Sequence, residues 1–211
     1  MAEYCWRLVG LGYLLPQMTS PWGAFHLTAR GRVFLEGLDP IALTPGGLDE
    51  RLGSLGFGQD SLARQYVRRA QDCFLAGHYE SSIVMLGVAN EALVLQLSDG
   101  LSRVRAQVMT NLKPRPSRPT ARQDIVWITD ALDGYRKPLQ SALNSAGADA
   151  SWIETLRDVL QGTSQAIRVT RNEHGHPTGF TATQEDALQL LVLFPRFAEA
   201  CSKALTAIEA L

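Results

Sequence analysis

The chain has 211 residues, 45% of them hydrophobic and 19% charged, with a net charge of −1 at pH 7. That length supports one well-buried domain plus a small appendage, and the composition excludes wholesale disorder, collagen-like repetition and a coiled-coil fibre. A balance so near zero also excludes coating of nucleic acid through overall positive charge, so any such contact must come from a local patch. Cys5, Cys73 and Cys201 form neither a close pair nor an even framework, which predicts reduced thiols, a cytoplasmic setting and no structural zinc. The continuous apolar run Ile83 to Ala89 is ended by Asn90 and Glu91, short of the roughly 20 residues a membrane crossing needs, so no span and no membrane partner are expected. Residues Leu8 to Leu15 are apolar too, but Glu3 precedes them and no small-residue cleavage site follows, a poor match to a signal peptide.

Residues 1–58 read as a small appendage. Pro16, Pro21, Pro40 and Pro45, with many glycines, exclude long helices there except around Thr28 to Glu36. Gly12-Tyr13-Leu14-Leu15, a turn at Thr19-Ser20-Pro21 and Ala24-Phe25-His26-Leu27 predict a β-hairpin, with Thr28 as N-cap of a following helix. The pattern resembles the wing of a winged-helix domain, which implies a DNA-binding regulator as one reading. A helix-turn-helix has no room before Trp6, so the resemblance covers only the last third of such a domain. The other reading is a short hairpin that packs on the main domain or caps a dimer.

Residues 61–211 read as helical. Leu62, Tyr66, Ala70, Cys73 and Phe74 recur at helical spacing, predicting a core stripe with Arg64, Arg68 and Arg69 off it and a stop at Gly77. The next helix, about Tyr79 to Leu97, is apolar nearly all round, as the central member of a bundle should be. Between Leu101 and Gln123 lie Arg103, Arg105, Lys113, Arg115, Arg118 and Arg122 without one acidic residue, and Pro114, Pro116 and Pro119 predict that the second half is extended. This basic arm is a candidate RNA-binding surface. A third helix is predicted over about 122–143 with a break at Pro138, and a fourth over about 151–173 opened by a Ser151/Glu154 capping box. The last runs over about 183–210, with Thr183 and Asp186 as start signal and a kink at Pro195. The fold class is therefore all-α, an antiparallel bundle of four to five helices with the hairpin appendage.

One segment is out of character with plain packing: Arg171-Asn172-Glu173-His174-Gly175-His176-Pro177. Pro177 biases His176 away from helical angles and Gly175 suits a left-handed C-cap, so the helix should end just before His176. On an unbroken helix residues five apart point about 140° away from each other. Opened at Gly175, the chain lets the His176 imidazole swing back toward the Arg171 guanidinium, so that both meet one phosphate. Arg171-Asn172-x-x-x-His176, late in an all-helical bundle, resembles the signature of HEPN-domain ribonucleases. Ala70-x-x-Cys73-Phe74-x-x-Gly77-x-Tyr79 and Met85-Leu86-x-x-Ala89-x-Glu91 are also similar to HEPN-related proteins.

The resemblance covers about residues 61–211 and implies RNA cleavage without metal or other cofactor, in a homodimer whose two motifs line a shared cleft. Such proteins often act as toxins, with an antitoxin as protein partner, or as infection-response effectors, and some members are inactive. The residue types fit that chemistry. A histidine near pKa 6.5 takes the proton from a ribose 2′-hydroxyl, that oxygen attacks the adjacent phosphorus, and a 2′,3′-cyclic phosphate results. Arg171 offers paired donors to the phosphate oxygens, and Asn172 holds a further oxygen or orients the histidine. His174 is a substitute base, Arg168 a supporting cation, and a metal site through His174 and His176 lacks further ligands nearby. Glu91, a carboxylate in the most apolar helix, is expected either to face the cleft and contact Arg171 or another arginine, with Tyr79 and Asn90 in the same patch, or to reach solvent at the helix edge. A second reading makes Arg171, His174 and His176 simple cations at a helix C-terminus, and the protein a non-catalytic module that holds RNA, a nucleotide or a protein.

Overall fold

The computed structural model describes residues 14–16, 25–27, 45–164, 166–168, 170–171 and 181–211. Two compact units, Met1–Ala42 and Leu43–Leu211, make up the chain. In the first, β1 (Leu14–Pro16) and β2 (Phe25–Leu27) pair antiparallel, with Leu14 opposite Leu27 and Pro16 opposite Phe25. Pro16 closes its strand, where the missing N–H costs no interior ladder bond. Thr28, Cys5 and the remainder of the predicted wing lie outside the described residues.

The second unit is all-helical. Its first helix, α1 (Gly47–Ser54), carries Asp49 and Glu50 in the first turn, where they complement the helix dipole, and buries Leu48 and Leu52 fully. Sequence grouping put these residues with the appendage because glycines and Pro45 obscure a two-turn helix. Here α1 packs on the second helix, α2 (Leu62–Leu75), and on the last one.

On α2 the buried stripe is Ala63, Val67, Ala70 and Phe74: the predicted Ala70 and Phe74 belong to it, Tyr66 and Cys73 are half-buried, and Leu62 is 58% exposed. Arg64, expected off the core, is buried: its Nε and Nη2 donate to the two Asp49 carboxylate oxygens at 2.8 and 3.0 Å, and its Nη1 donates to the Phe57 carbonyl at 3.0 Å. A fully partnered guanidinium can occupy a core position that hydrophobic patterning alone assigns to solvent. The Arg64 guanidinium, with help from Arg68, holds the Asp49 carboxyl below its ordinary 3.8. Because the folded-state value is the depressed one, this pair stabilises the fold above the unfolded-state value and is lost as pH falls through the folded one. Asp49→Asn should therefore be clearly less stable than the native chain at pH 7, with the gap closing in acid below about 3.8. Denaturant midpoints measured across that range check it.

Gly77, at φ +83°, ends α2, with the His78 N–H donating to the Cys73 carbonyl at 2.8 Å and the Gly77 N–H to Phe74 at 3.0 Å. This is the paired pattern that only a left-handed residue permits. The central helix, α3 (Tyr79–Val108), runs eleven residues beyond the predicted Leu97 end because buried Leu101 and Val104 continue its stripe past Gly100. It packs against α2 on one side and the last helix on another. By length and composition its Tyr79–Ala106 stretch could cross a membrane, since its aliphatics outnumber Asn90 and Glu91, while 56% of the qualifying window is buried inside the bundle. That finding replaces the expectation that no segment is long and apolar enough.

The proline-rich connection leads to α4 (Ala121–Gly134), which opens with a capping box of Thr120 and Gln123, and then to α5 (Arg136–Ser145). The break falls at Tyr135 rather than at Pro138. Pro138 sits in the first turn of α5, where a missing N–H is harmless. Next comes α6 (Trp152–Val159), whose last turn widens into a π-helical segment, Leu160–Ser164. Helical backbone continues at 166–168 and 170–171. The Ser151/Glu154 box is not formed, for Ser151 gives its hydroxyl and N–H to Asp149 instead. The last helix, α7 (Gln184–Glu209), does open with the Thr183/Asp186 box, and Pro195 lies buried inside it.

Candidate functional site

Arg171 stands at the end of the α6 line. Leu156, Leu160, Ser164 and Ile167 are buried in turn along that line, and Arg171 is the next residue at helical spacing, so its stem is directed inward. It lands on Gly87 of α3. A Cβ built there would lie 2.4 Å from the Arg171 Cγ and 2.8 Å from its Cβ, so only a glycine leaves room for this stem. One turn further along α3, the Glu91 carboxylate lies 3.6 Å from the Arg171 Nη1, both side chains about 30% exposed. At that separation the contact is an ion pair, not a hydrogen bond. The guanidinium is thus held from beneath by Gly87 and from one side by Glu91, and it has further interactions of its own.

The remaining predicted residues fall into three groups. Arg168, half-buried, precedes Arg171 by one turn and has interactions of its own. Asn90 is 1% exposed next to Glu91, and its Oδ1 accepts no hydrogen bond among the described residues. Tyr79 is not in this patch: it sits at the start of α3 with its ring 5.8 Å from that of Phe74, about 18 Å along the axis from Glu91. Asn172, His174 and His176 lie outside the described residues.

The basic segment is not a free arm. Arg103 and Arg105 belong to α3, and Arg105 donates to the Leu112 carbonyl at 2.8 Å. Arg115 is taken by carboxylates, with Nε and Nη2 on the fully buried Asp124 at 2.5 and 2.9 Å and Nη1 on Asp99. The Trp127 indole donates to the Lys113 carbonyl at 2.9 Å. Pinned in this way, the connection leaves Lys113, Arg118 and Arg122 exposed. Arg103 is exposed too, and lines a cavity of about 590 Å³ with Gln96, Asp99 and Ser102 of the same helix.

Burial pushes the Cys201 thiol far up, and burial followed by the Asp72 charge raises that of Cys73. Neither is a thiolate nucleophile at neutral pH. Sequence reasoning missed Gly87, although a lone glycine within an otherwise apolar helix signals close approach by another element. It also missed the Asp124 anchor, whose partner is reached only through the fold. No family model matches the chain, and neither a curated protein nor a solved structure matches it.

Proposed function

We propose that the helical unit is a HEPN-type endoribonuclease that cleaves RNA without metal. The observation that carries this reading is the half-exposed Arg171–Glu91 pair seated on Gly87, immediately before Asn172-x-x-x-His176. A cation that merely capped a helix end would need neither a glycine platform nor a carboxylate partner on another helix. In the proposed reaction the imidazole of His176 removes the ribose 2′-proton, and the oxygen attacks phosphorus as the 5′-oxygen leaves, giving a 2′,3′-cyclic phosphate. Arg171 takes up the charge that accumulates on the phosphate oxygens, with Asn172 as a further donor. Glu91 fixes the guanidinium plane, and Arg168 offsets the carbonyl ends of the helix, which repel phosphate. The working form is a cytoplasmic homodimer with the two motifs lining one cleft, in a toxin or defence role.

Single-stranded RNA incubated with the purified chain in excess chelator tests this. Cleavage with cyclic-phosphate ends is expected, and His176→Ala should lower the rate by about 10² to 10⁴ while RNA binding persists. An inert native chain, or an undiminished His176→Ala variant, rejects it. A second reading, RNA binding without cleavage, is favoured by one observation: Arg115 and Trp127 fix the connection so that Lys113, Arg118 and Arg122 project from a rigid base. It predicts binding that weakens steeply with salt.

A further inference from the structure

Glu91, Leu95 and Asp99 follow one another at four-residue spacing on one face of α3, and all three reach solvent, with Leu95 43% exposed. That face leads away from Arg171. Between about 8 and 18 Å along the axis from Glu91, Gln96, Asp99 and Arg103 line the cavity of about 590 Å³. Leu55 and Phe57 from the connection after α1, and Leu205 and Glu209 from α7, line it too. Its volume falls in the range of small-molecule sites.

Arg103 and Glu209 bring opposite charges to this cavity, yet neither forms an ion pair among the described residues. The guanidinium is not swung out into solvent. Its Nη2 lies 3.8 Å from the point where a Gly100 Cβ would stand, and the Leu205 Cδ2 lies 3.5 Å from the same point, so the side chain folds back toward α7. Asp99 gives one carboxylate oxygen to Arg115 and, at 67% exposed, keeps the other open. Two carboxylates to one free guanidinium disfavour a bare oxyanion. The complement is a flat group with acceptors on one edge and donors on another, its faces against the apolar Leu55, Phe57 and Leu205.

We propose that this cavity is a guanine-reading subsite for the RNA strand that Arg171 engages. Guanine offers O6 and N7 as paired acceptors, which suit the fork of Arg103. It also offers N1–H and the N2 amino group as adjacent donors, which suit the two oxygens of the Glu209 carboxylate. No other RNA base has two adjacent donor groups. The subsite rests on the proposed RNA cleavage for its strand, but base binding requires no cleavage, so the two are separable.

The test is a titration of the full chain, ¹⁵N-labelled at glycine, with the 5′-monophosphates of guanosine, adenosine, cytidine and uridine. The reporter is the amide of Gly58, which lines the cavity and is identified through Gly58→Ala; nothing lies within 4 Å of a Cβ at that position, so the reference variant folds. The expected result is a saturable shift with guanosine monophosphate, its midpoint at or below about 1 mM, and no shift with inorganic phosphate. The other three nucleotides, and inosine monophosphate, which lacks only the N2 amino group, should bind about tenfold more weakly. Arg103→Ala and Glu209→Gln, both at exposed positions, should each weaken guanosine monophosphate at least about fivefold. Equal affinity for the four nucleotides, inosine monophosphate as tight as guanosine monophosphate, or binding undiminished in Arg103→Ala overturns the proposal, as does a Gly58 amide unmoved at tens of millimolar. Selective guanosine monophosphate binding by a chain that leaves RNA intact upholds the subsite and rejects the cleavage reading. RNA cut by a chain that ignores the nucleotide does the reverse.

Discussion

Replacing Asp124 with alanine is expected to destabilise the helical unit by about 3 to 5 kcal/mol, the range for breaking a buried ion pair from one side. Asp124 is fully buried in the first turn of α4, and the Arg115 side chain that grips it through two hydrogen bonds is 15% exposed. Removing the carboxylate leaves the guanidinium in a largely dry setting with only Asp99, which is 67% exposed and a poor substitute. The same change releases the proline-rich connection between α3 and α4 from its main anchor. Since a domain of this size is stable by only about 5 to 15 kcal/mol in total, the loss should be plain in the denaturant midpoint at unchanged slope. Arg115→Ala should destabilise too. The double variant should fall well short of the sum of the two, because each single change strands the other's charge. A loss under 1 kcal/mol for Asp124→Ala, or additive losses, would mean that the pair is decorative.

What could be read from the sequence divides along a physical line. Periodicity marked the helical unit and the central place of α3, since a helix buried on most sides has to be apolar on most sides. It failed where a charged side chain is buried through a partner outside its own helix: Arg64 takes Asp49 from α1, and Asp124 takes Arg115 from a connection. Patterning treats charge as exposed, and such pairs become visible only when the elements meet. The two start signals make the same point locally. Thr183, extended at φ −89° and ψ 162°, caps α7 together with Asp186, whereas Ser151 has helical angles, φ −64° and ψ −23°, and is captured by Asp149 two residues before it. An N-cap needs extended backbone as well as the right side chain. At the candidate site, the cost of burying a carboxylate was enough to direct attention to Glu91 and a partner arginine. Helical rise alone would have excluded Tyr79, because twelve residues of the predicted helix put it about 18 Å along the axis from Glu91.

Gly87 should control the candidate site without touching any substrate. Alanine is the better helix former by up to about 1 kcal/mol, so on propensity alone Gly87→Ala would stabilise α3. The added methyl would meet the Arg171 Cγ at 2.4 Å and its Cβ at 2.8 Å. A new rotamer cannot relieve the second of these, because Cβ is fixed to the backbone. The end of the α6 line has to move off α3, and the Arg171–Glu91 pair, already 3.6 Å apart, opens. Overpacking of this kind costs about 1 to 3 kcal/mol, so the two effects partly offset and the fold should survive. Cleavage of RNA should nevertheless drop by about 10² to 10³, the loss seen when one preorganised donor to a charged transition state is removed, and close to the loss in Arg171→Ala. Combining the two changes should add little, as expected of residues acting through one guanidinium. A Gly87→Ala chain that cleaves at the native rate would show that the seat beneath Arg171 has no part in the chemistry, whatever the fate of His176.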